Sequence, residues 1–541
     1  MATGDTGGAE EAKRSERLNT RAAGVVGLAV LSSRILGLAR EQIFAALFGG
    51  GRVMDAFTIA FRIPNLLRDL FAEGALSTAF VTIFTRTATK EGQREAWQVA
   101  NKVATLTAAT LSAITIVGIL SAGWLVAVLA PGFDPAKAAL TVTLTRVMYP
   151  FIFLVSLAAL VMGMLNARNV FGVPAMASSF FNLGSIIAGV ALGYWLDPHF
   201  GARAILGLAI GTLVGGALQL LVQLPSLKRQ GYQYRPDFRW RDPRVGALLR
   251  LMGPSVIAAS TTQVNVLINS VFASELGDGP TFWLTVAFRL MQLPLGVFGV
   301  ALGTVALPLL ARMAATGNMQ AFRSELARGM RLAFLMTIPA SVGLIVLAEP
   351  IISVLYQHGR FGAFETAESA GALRFYAIGL CGYAALKVLV NAFYAIDRRK
   401  TPMVVSFIAV ALNLLLNLLL TRKLGWGHRG LALSTACVAT SNFLILYFLM
   451  RSHLGRLESR AMLTLLTKVT LASLVLFVIT WAGSEWLLGN WATEPFWPKS
   501  LSLALVIALG AAGFFLSASV LRIAEVQDLT AALRRRLRRA H

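Results

Sequence analysis

The sequence predicts an all-α polytopic membrane protein of about 14 transmembrane helices: two parallel six-helix repeats around a central cavity, plus two extra C-terminal helices. Three observations carry that prediction: composition, the alternation of charge between successive connectors, and self-similarity at one offset. Of 541 residues, 56% are hydrophobic and only 14% are charged, where a soluble domain carries about 25% charged. The mean hydropathy is +0.68. Apolar runs such as 104–130 and 463–483 exceed the roughly 20 residues that cross a hydrocarbon core.

Taken in order, the apolar runs centre near residues 33, 70, 115, 153, 184, 214, 261, 298, 339, 380, 411, 441, 473 and 510. Their connectors alternate sharply in charge. KRSERLNTR, TRTATKEGQR, NARN, KRQGYQYRPDFRWRDPR, the stretch 311–331, DRRK, RSHLGRLESR and the tail RRRLRRAH hold more than half of the 49 Lys and Arg. The intervening connectors hold 8. The positive-inside rule then places both termini in the cytoplasm, which requires an even number of spans.

The net charge of +23 sits in these short connectors; it argues for topology and against a nucleic-acid partner. Cys381 and Cys437 lie in apolar runs and imply neither a disulfide framework nor a metal cluster. Residues 1–21 are polar, lack the order of a signal peptide, and are expected to form a disordered cytoplasmic tail.

The repeat rests on short matches at offsets of 226 to 228. Ala60–Arg62 recurs as Ala287–Arg289, Ala75–Thr78 (ALST) as ALGT at Ala301–Thr304, and Ala158–Leu160 as Ala384–Leu386. Asn169 stands five residues before Pro174, as Asp397 does before Pro402. Arg62 pairs with Arg289 and Arg146 with Arg374. Each lies about eight residues, or ~12 Å, inside the outer end of its helix. Six spans per copy is even, so both copies share one orientation. The predicted division is a tail (1–21), an N-lobe (22–227), a basic linker (228–246), a C-lobe (247–452), two extra helices (453–521) and a basic tail (522–541).

Charges inside the first two spans single out a candidate site. Ser33, Arg34, Arg40 and Glu41 lie in the first; Arg62, Asn65, Arg68, Asp69 and Glu73 in the second; Asp55 is at the second helix's mouth. A central Arg or Asp costs a transmembrane helix about 2.5–3.5 kcal/mol, so several together need a reason. Arg34 and Glu41 are seven apart on one face; Arg62, Asp69 and Glu73 share another. Mutually neutralising pairs are one reading of these residues, and snorkelling explains Lys387 and Lys468.

Pairing does not absorb the excess. Arg34, Arg40, Arg62, Arg68, Arg146, Arg289, Arg374 and Lys387 face only Glu41, Asp69 and Glu73, with Asp55 at a mouth. Surplus guanidinium facing a wet cavity suits phosphate or pyrophosphate, which Arg binds bidentately. Gln263, Asn265, Asn269, Gln292, Asn391, Asn413 and Asn417 in the second half are expected to bond helix to helix. Gly49–Gly51 is a connector with no strand before it, and the five histidines do not cluster. Trp486, Trp491 and Trp497 read as interfacial anchors.

Ser33–Glu41 (SRILGLARE), Asp55–Phe57, Pro64–Arg68 (PNLLR) and Phe71–Ala75 (FAEGA), with Arg289–Met291 and Gly299–Thr304, resemble the MurJ (MviN) family of lipid II flippases over about residues 22–520. That family belongs to the multidrug/oligosaccharidyl-lipid/polysaccharide exporter superfamily. The resemblance implies two lobes around a cavity and a groove for a polyprenyl tail on the last two helices. The implied cargo is the undecaprenyl-pyrophosphate-linked peptidoglycan precursor, lipid II, moved from the cytoplasmic to the periplasmic leaflet of the bacterial inner membrane. Membrane lipids are the other implied partner, and a monomer is expected.

Carried across by motif, the implied functional residues are Arg34, Arg40, Glu41, Asp55, Arg68, Glu73 and Arg289. The matched depth adds Arg62 as a substrate contact, and Ser33 and Asn65 are expected as supporting polar groups. The chain departs from the family at Phe288 and Gln292, where acids often flank the eighth-helix Arg. Some members bind sodium through carboxylates in the seventh and eleventh helices; here Asn413 and Asn417 argue against sodium coupling. No cofactor or metal is expected, and the membrane potential is the expected drive.

Rival readings are another exporter of the superfamily (a polysaccharide flippase or a drug/cation antiporter), a lipid-linked glycosyltransferase, and a channel. An antiporter needs intramembrane acids that the C-terminal half lacks. The enzyme needs a large external domain, whereas the longest external loop is about 483–500.

Overall fold

The computed structural model describes residues 6–71, 76–455, 457–489 and 495–527. Among them the secondary structure is helical throughout. In chain order the first ten helices are α1 (Thr6–Phe48), α2 (Arg52–Phe71), α3 (Ser77–Glu91), α4 (Gln93–Leu120), α5 (Ala122–Leu129), α6 (Pro135–Met148), α7 (Phe151–Ala167), α8 (Gly172–Leu196), α9 (Ile205–Leu221) and α10 (Leu224–Arg229). Then follow α11 (Pro243–Ser274), α12 (Pro280–Ala315), α13 (Met319–Val346), α14 (Ala348–Tyr356), α15 (Ala363–Ile378), α16 (Leu380–Ala395) and α17 (Lys400–Asn417), which runs into a π-helical turn at Leu418–Lys423. The last are α18 (Gly427–Leu454), α19 (Ser459–Trp486) and α20 (Phe496–Val520).

Each of the 14 predicted centres falls in a helix. Among the described residues nine helices are long and apolar enough to cross a membrane, or ten if the bent pair α15–α16 is one span. The other four centres fall in α1, α2, α11 and α12. The N-terminal tail differs from expectation, because α1 is already helical from Thr6. The stretch AEEAKRSERL is made almost wholly of strong helix formers, which continue the helix outward from the apolar segment.

The chain divides into two compact units, Met1–Gln263 and Val264–His541. Their helices repeat in register. α1 and α11 end 226 residues apart, α4 and α13 start and end 226 apart, and α6 and α15 start 228 apart. α7 and α16 end 228 apart, and α8 and α17 start 228 apart. The connector between the last two pairs even repeats its backbone: Asn169 (φ 59°) and Asp397 (φ 56°) both occupy the left-handed region, which short polar Asn and Asp tolerate better than other side chains.

Local chemistry fixes several starts. Asp134 accepts from the Ala136 and Lys137 amides and Pro135 opens α6; Asn318 caps α13 by accepting from the Ala321 amide. In the first unit α8 and α9 approach closely, since a Cβ on Gly211 would stand 2.5 Å from the Gly189 Cα. In the second, α15 bends by 43° into α16 at Gly379, where a Cβ would meet Ala436 at 2.6 Å. The first unit is cored by Phe80, Phe84, Val99, Val103, Met164 and Leu227. In the second, α19 and α20 pack on α13 through Leu335, Val469, Leu476 and Phe514.

Candidate functional site

The first turns of α2 and α6 are bolted together by two ion pairs. Asp55 is fully buried, and its carboxylate accepts from the Lys137 Nζ at 2.9 Å. The ammonium also lies 4.1 Å from the centroid of the Phe133 ring. Beside it Arg52 pairs with Asp134, the residue that caps α6. The sequence offered Asp55 as a supporting polar group but not its partner, which lies 82 residues away in the first turn of α6. The pair neutralises both charges and gives each a hydrogen bond, the condition under which a buried ion pair is tolerated.

Elsewhere in the first unit the chemistry changes. Arg40 of α1 lies over the Phe181 ring of α8 at 5.0 Å and the Phe61 ring of α2 at 5.9 Å. Phe61 packs on Phe151 at 5.5 Å, and Phe151 on Phe181 at 5.4 Å, so the guanidinium rests on an aromatic bed. A half-buried cation over a ring face gains about 1 kcal/mol. The backbone carbonyl of Ser33 accepts from the Asn182 Nδ2 at 3.1 Å, which fixes α1 on α8. Arg34 is exposed beside it, and no carboxylate among the described residues pairs with it. Glu41 is half-buried on the same helix.

On α2, Arg62, Asn65 and Arg68 are all half-buried. Arg68 donates to Asp69 at 2.8 Å through Nη2 and at 3.2 Å through Nε. The second oxygen of Asp69 accepts from Gln263 at 3.2 Å. The pairing expected as the bland reading is therefore present at Arg68. The Asn65 Oδ1 is buried with no hydrogen-bond partner among the described residues. Glu73 lies outside the described residues.

In the second unit Arg289 is half-buried on α12 at the place Arg62 holds on α2. Three of the expected helix-to-helix amides form an open knot, in which the buried Asn417 Oδ1 has no hydrogen-bond partner among the described residues. Asn417 donates to Asn269 at 2.8 Å and to Asn413 at 3.2 Å, and Asn269 donates to Thr435 at 3.1 Å. Gln263, from the same expectation, bonds Asp69. Among the described residues no group of three His, Cys, Asp or Glu side chains is placed to hold a metal. Arg374, counted as surplus, has a partner in Glu349 at 3.0 Å. Lys468 reaches the Arg522 carbonyl at 3.4 Å, and Trp486 and Trp497 are exposed.

The basic linker is latched to α4. Lys102 pairs with Asp242 at 2.6 Å in a nearly buried contact. Arg244 joins Asp242 at 2.9 Å and Glu91 at 2.8 Å, and Trp97 packs on Tyr232 at 5.1 Å. The guanidinium of Arg239 pulls Asp237 down to about 2. Hydrogen bonds from Arg244, then Lys102, hold Asp242 below the ordinary carboxylate range. The sequence showed the linker's charge but not these contacts.

These features meet a known family. The model of the family described as "Lipid II flippase MurJ" matches residues 44–502. The chain belongs to the MurJ family. It is 37% identical over 429 residues to the lipid II flippase MurJ of Burkholderia cenocepacia, covering 78% of this chain and 82% of that one. It is 33% identical over 475 residues to a probable lipid II flippase MurJ of Buchnera aphidicola, covering 87% and 92%. A solved structure of "Lipid II flippase MurJ, inward closed conformation" superposes with a TM-score of 0.73 at 26% identity, covering 91% of this chain and 98% of that one. An inward-facing MATE family transporter of the MOP superfamily shares the fold with a TM-score of 0.67 at 16% identity. Family and fold together make this a multi-pass membrane protein of a transporter family.

Proposed function

We propose that this chain moves lipid II from the cytoplasmic to the periplasmic leaflet of the bacterial inner membrane by alternating access of its two repeats. The observation that carries the reading is the uneven neutralisation of α1 and α2. The mouth of α2 is bolted by paired charges, whereas Arg34 of α1 is exposed and pairs with no carboxylate among the described residues. Arg34, Arg40, Arg62, Arg68 and Arg289 are each assigned as substrate contacts, with guanidinium groups suited to the pyrophosphate. Asp69 holds Arg68 in place until a doubly charged ligand competes for it.

Both termini are assigned to the cytoplasm from the charge of the connectors. An inside-negative potential favours outward movement of an anion by about 2.3 kcal/mol per charge per 100 mV. The neutral amide knot supports a transport cycle without sodium. The chain is assigned to act as a monomer with no catalytic step. The test is the exposure of lipid II on the outer leaflet in cells carrying Arg34→Ala, Arg68→Ala or Arg289→Ala: each variant is expected to slow exposure, and undiminished exposure in all three overturns the assignment.

A further inference from the structure

A cavity of about 400 Å³ opens in the second unit where α13, α14 and α15 meet the Trp486 end of α19. It holds one guanidinium and two carboxylates: Arg374, Glu349 and Glu485. Arg374 and Glu349 pair at 3.0 Å, yet both stay partly open, at 44% and 33% of their side-chain surface. Phe477, Trp481 and Ser484 complete the wall on α19. Leu488 anchors that wall from below, buried with Leu347, Leu503 and Val506.

An exposed apolar stripe on α19, Leu471, Leu474, Val478 and Trp481, leads into the cavity with helical spacing. Such a stripe on a membrane-spanning helix faces acyl chains, and a tryptophan at its end marks headgroup depth. The first copy supplies a control within the chain. Arg146, the counterpart of Arg374, is exposed on α6 without a carboxylate among the described residues. The counterpart of Glu349 at offset 226 is Gly123. The ion pair and the cavity wall thus belong only to the copy against which α19 packs.

We propose that this cavity binds the headgroup of a zwitterionic aminophospholipid, with acyl chains along the α19 stripe. The phosphate meets the open side of Arg374, which takes it by paired hydrogen bonds. The ammonium meets Glu485 and the free oxygen of Glu349, and the surplus carboxylate disfavours a headgroup with net negative charge. On the orientation proposed above, the lipid belongs to the outer leaflet.

The experiment is native mass spectrometry of the full-length protein in detergent, titrated with phosphatidylethanolamine or phosphatidylglycerol. It reads adduct mass, so it depends on neither transport nor orientation. The wild type is expected to retain phosphatidylethanolamine about fivefold better than phosphatidylglycerol, the scale of one partly exposed ion pair. Glu349→Gln/Glu485→Gln should abolish that preference. Ser484→Trp, which fills the cavity and leaves its charges intact, should lose the phosphatidylethanolamine adduct. Equal retention of both lipids by the wild type overturns the proposal, as does a preference that survives in both variants.

Discussion

The two copies of the repeat keep the same helices but fill their first pair with opposite chemistry. In the first copy α1 and α2 carry Arg34, Arg40, Glu41, Asp55, Arg62, Arg68 and Asp69. At an offset of 226, Arg34 falls opposite Ser260 and Arg40 opposite Val266; at 227, Asp55 falls opposite Phe282. What the second copy retains is Arg289 and a knot of neutral amides on α11 and α17, joined to the Thr435 hydroxyl of α18. Helix register survives such divergence because it depends on caps, turn residues and apolar length. Charge does not survive it, because inside a membrane a charge persists only where it is paired or used. The comparison assigns anion handling chiefly to the first copy and neutral helix-to-helix bonding to the second.

The largest effect that bears on this contrast is expected at the bolted mouth. Lys137→Ala leaves the Asp55 carboxylate buried without its ammonium, at a cost of about 3–5 kcal/mol. The double variant Asp55→Leu/Lys137→Met should recover most of that loss in thermal unfolding. If the double variant is as unstable as Lys137→Ala, the pair is not the bolt described here. A smaller effect is expected at the amide knot. Asn417→Ala removes the donor to Asn269 and Asn413 and should cost about 1–3 kcal/mol. Replacing sodium by potassium should leave wild-type transport in vesicles unchanged, and a strict sodium requirement would break the assignment of a neutral role to this knot.

The smallest effect concerns the linker. A carboxylate held below its ordinary pKa stabilises its folded contacts at every pH above the ordinary value, and that contribution is lost as pH falls through the lowered one. Asp237, held at about 2 by Arg239, and Asp242, lowered by Arg244, both follow that rule. Hydrogen-exchange protection of the linker should therefore be flat from about pH 8 to about pH 5 and should fall only below about pH 4, through the lowered values. At neutral pH, Asp242→Asn should expose the linker to trypsin at least roughly tenfold faster, since it removes one side of a nearly buried pair.

Much of this molecule was legible in its residues, for identifiable reasons. Span centres follow from apolar length. The repeat was visible because Ala60–Arg62 and the left-handed turns at Asn169 and Asp397 are local features that survive divergence. Partners were not legible. Lys137 reaches Asp55 from the first turn of α6, and Glu349 reaches Arg374 from a different helix. No local pattern encodes such distances. The start of α6 was not legible, since the Asp134 cap and Pro135 lie in a stretch that the charge pattern marks as a connector. The tail departs from a disordered reading because its polar residues from Thr6 onward are also strong helix formers.

Exposure of lipid II on the outer leaflet tests the central claim most directly, read in cells whose wild-type copy is replaced by Arg34→Ala, Arg68→Ala or Arg289→Ala. Losing a charge-assisted hydrogen bond to pyrophosphate is worth about 1.5–3 kcal/mol, so each variant is expected to slow exposure by roughly tenfold or more. Asn417→Ala, expressed to the same level, should slow it far less. Exposure at the wild-type rate in all three arginine variants would contradict the account.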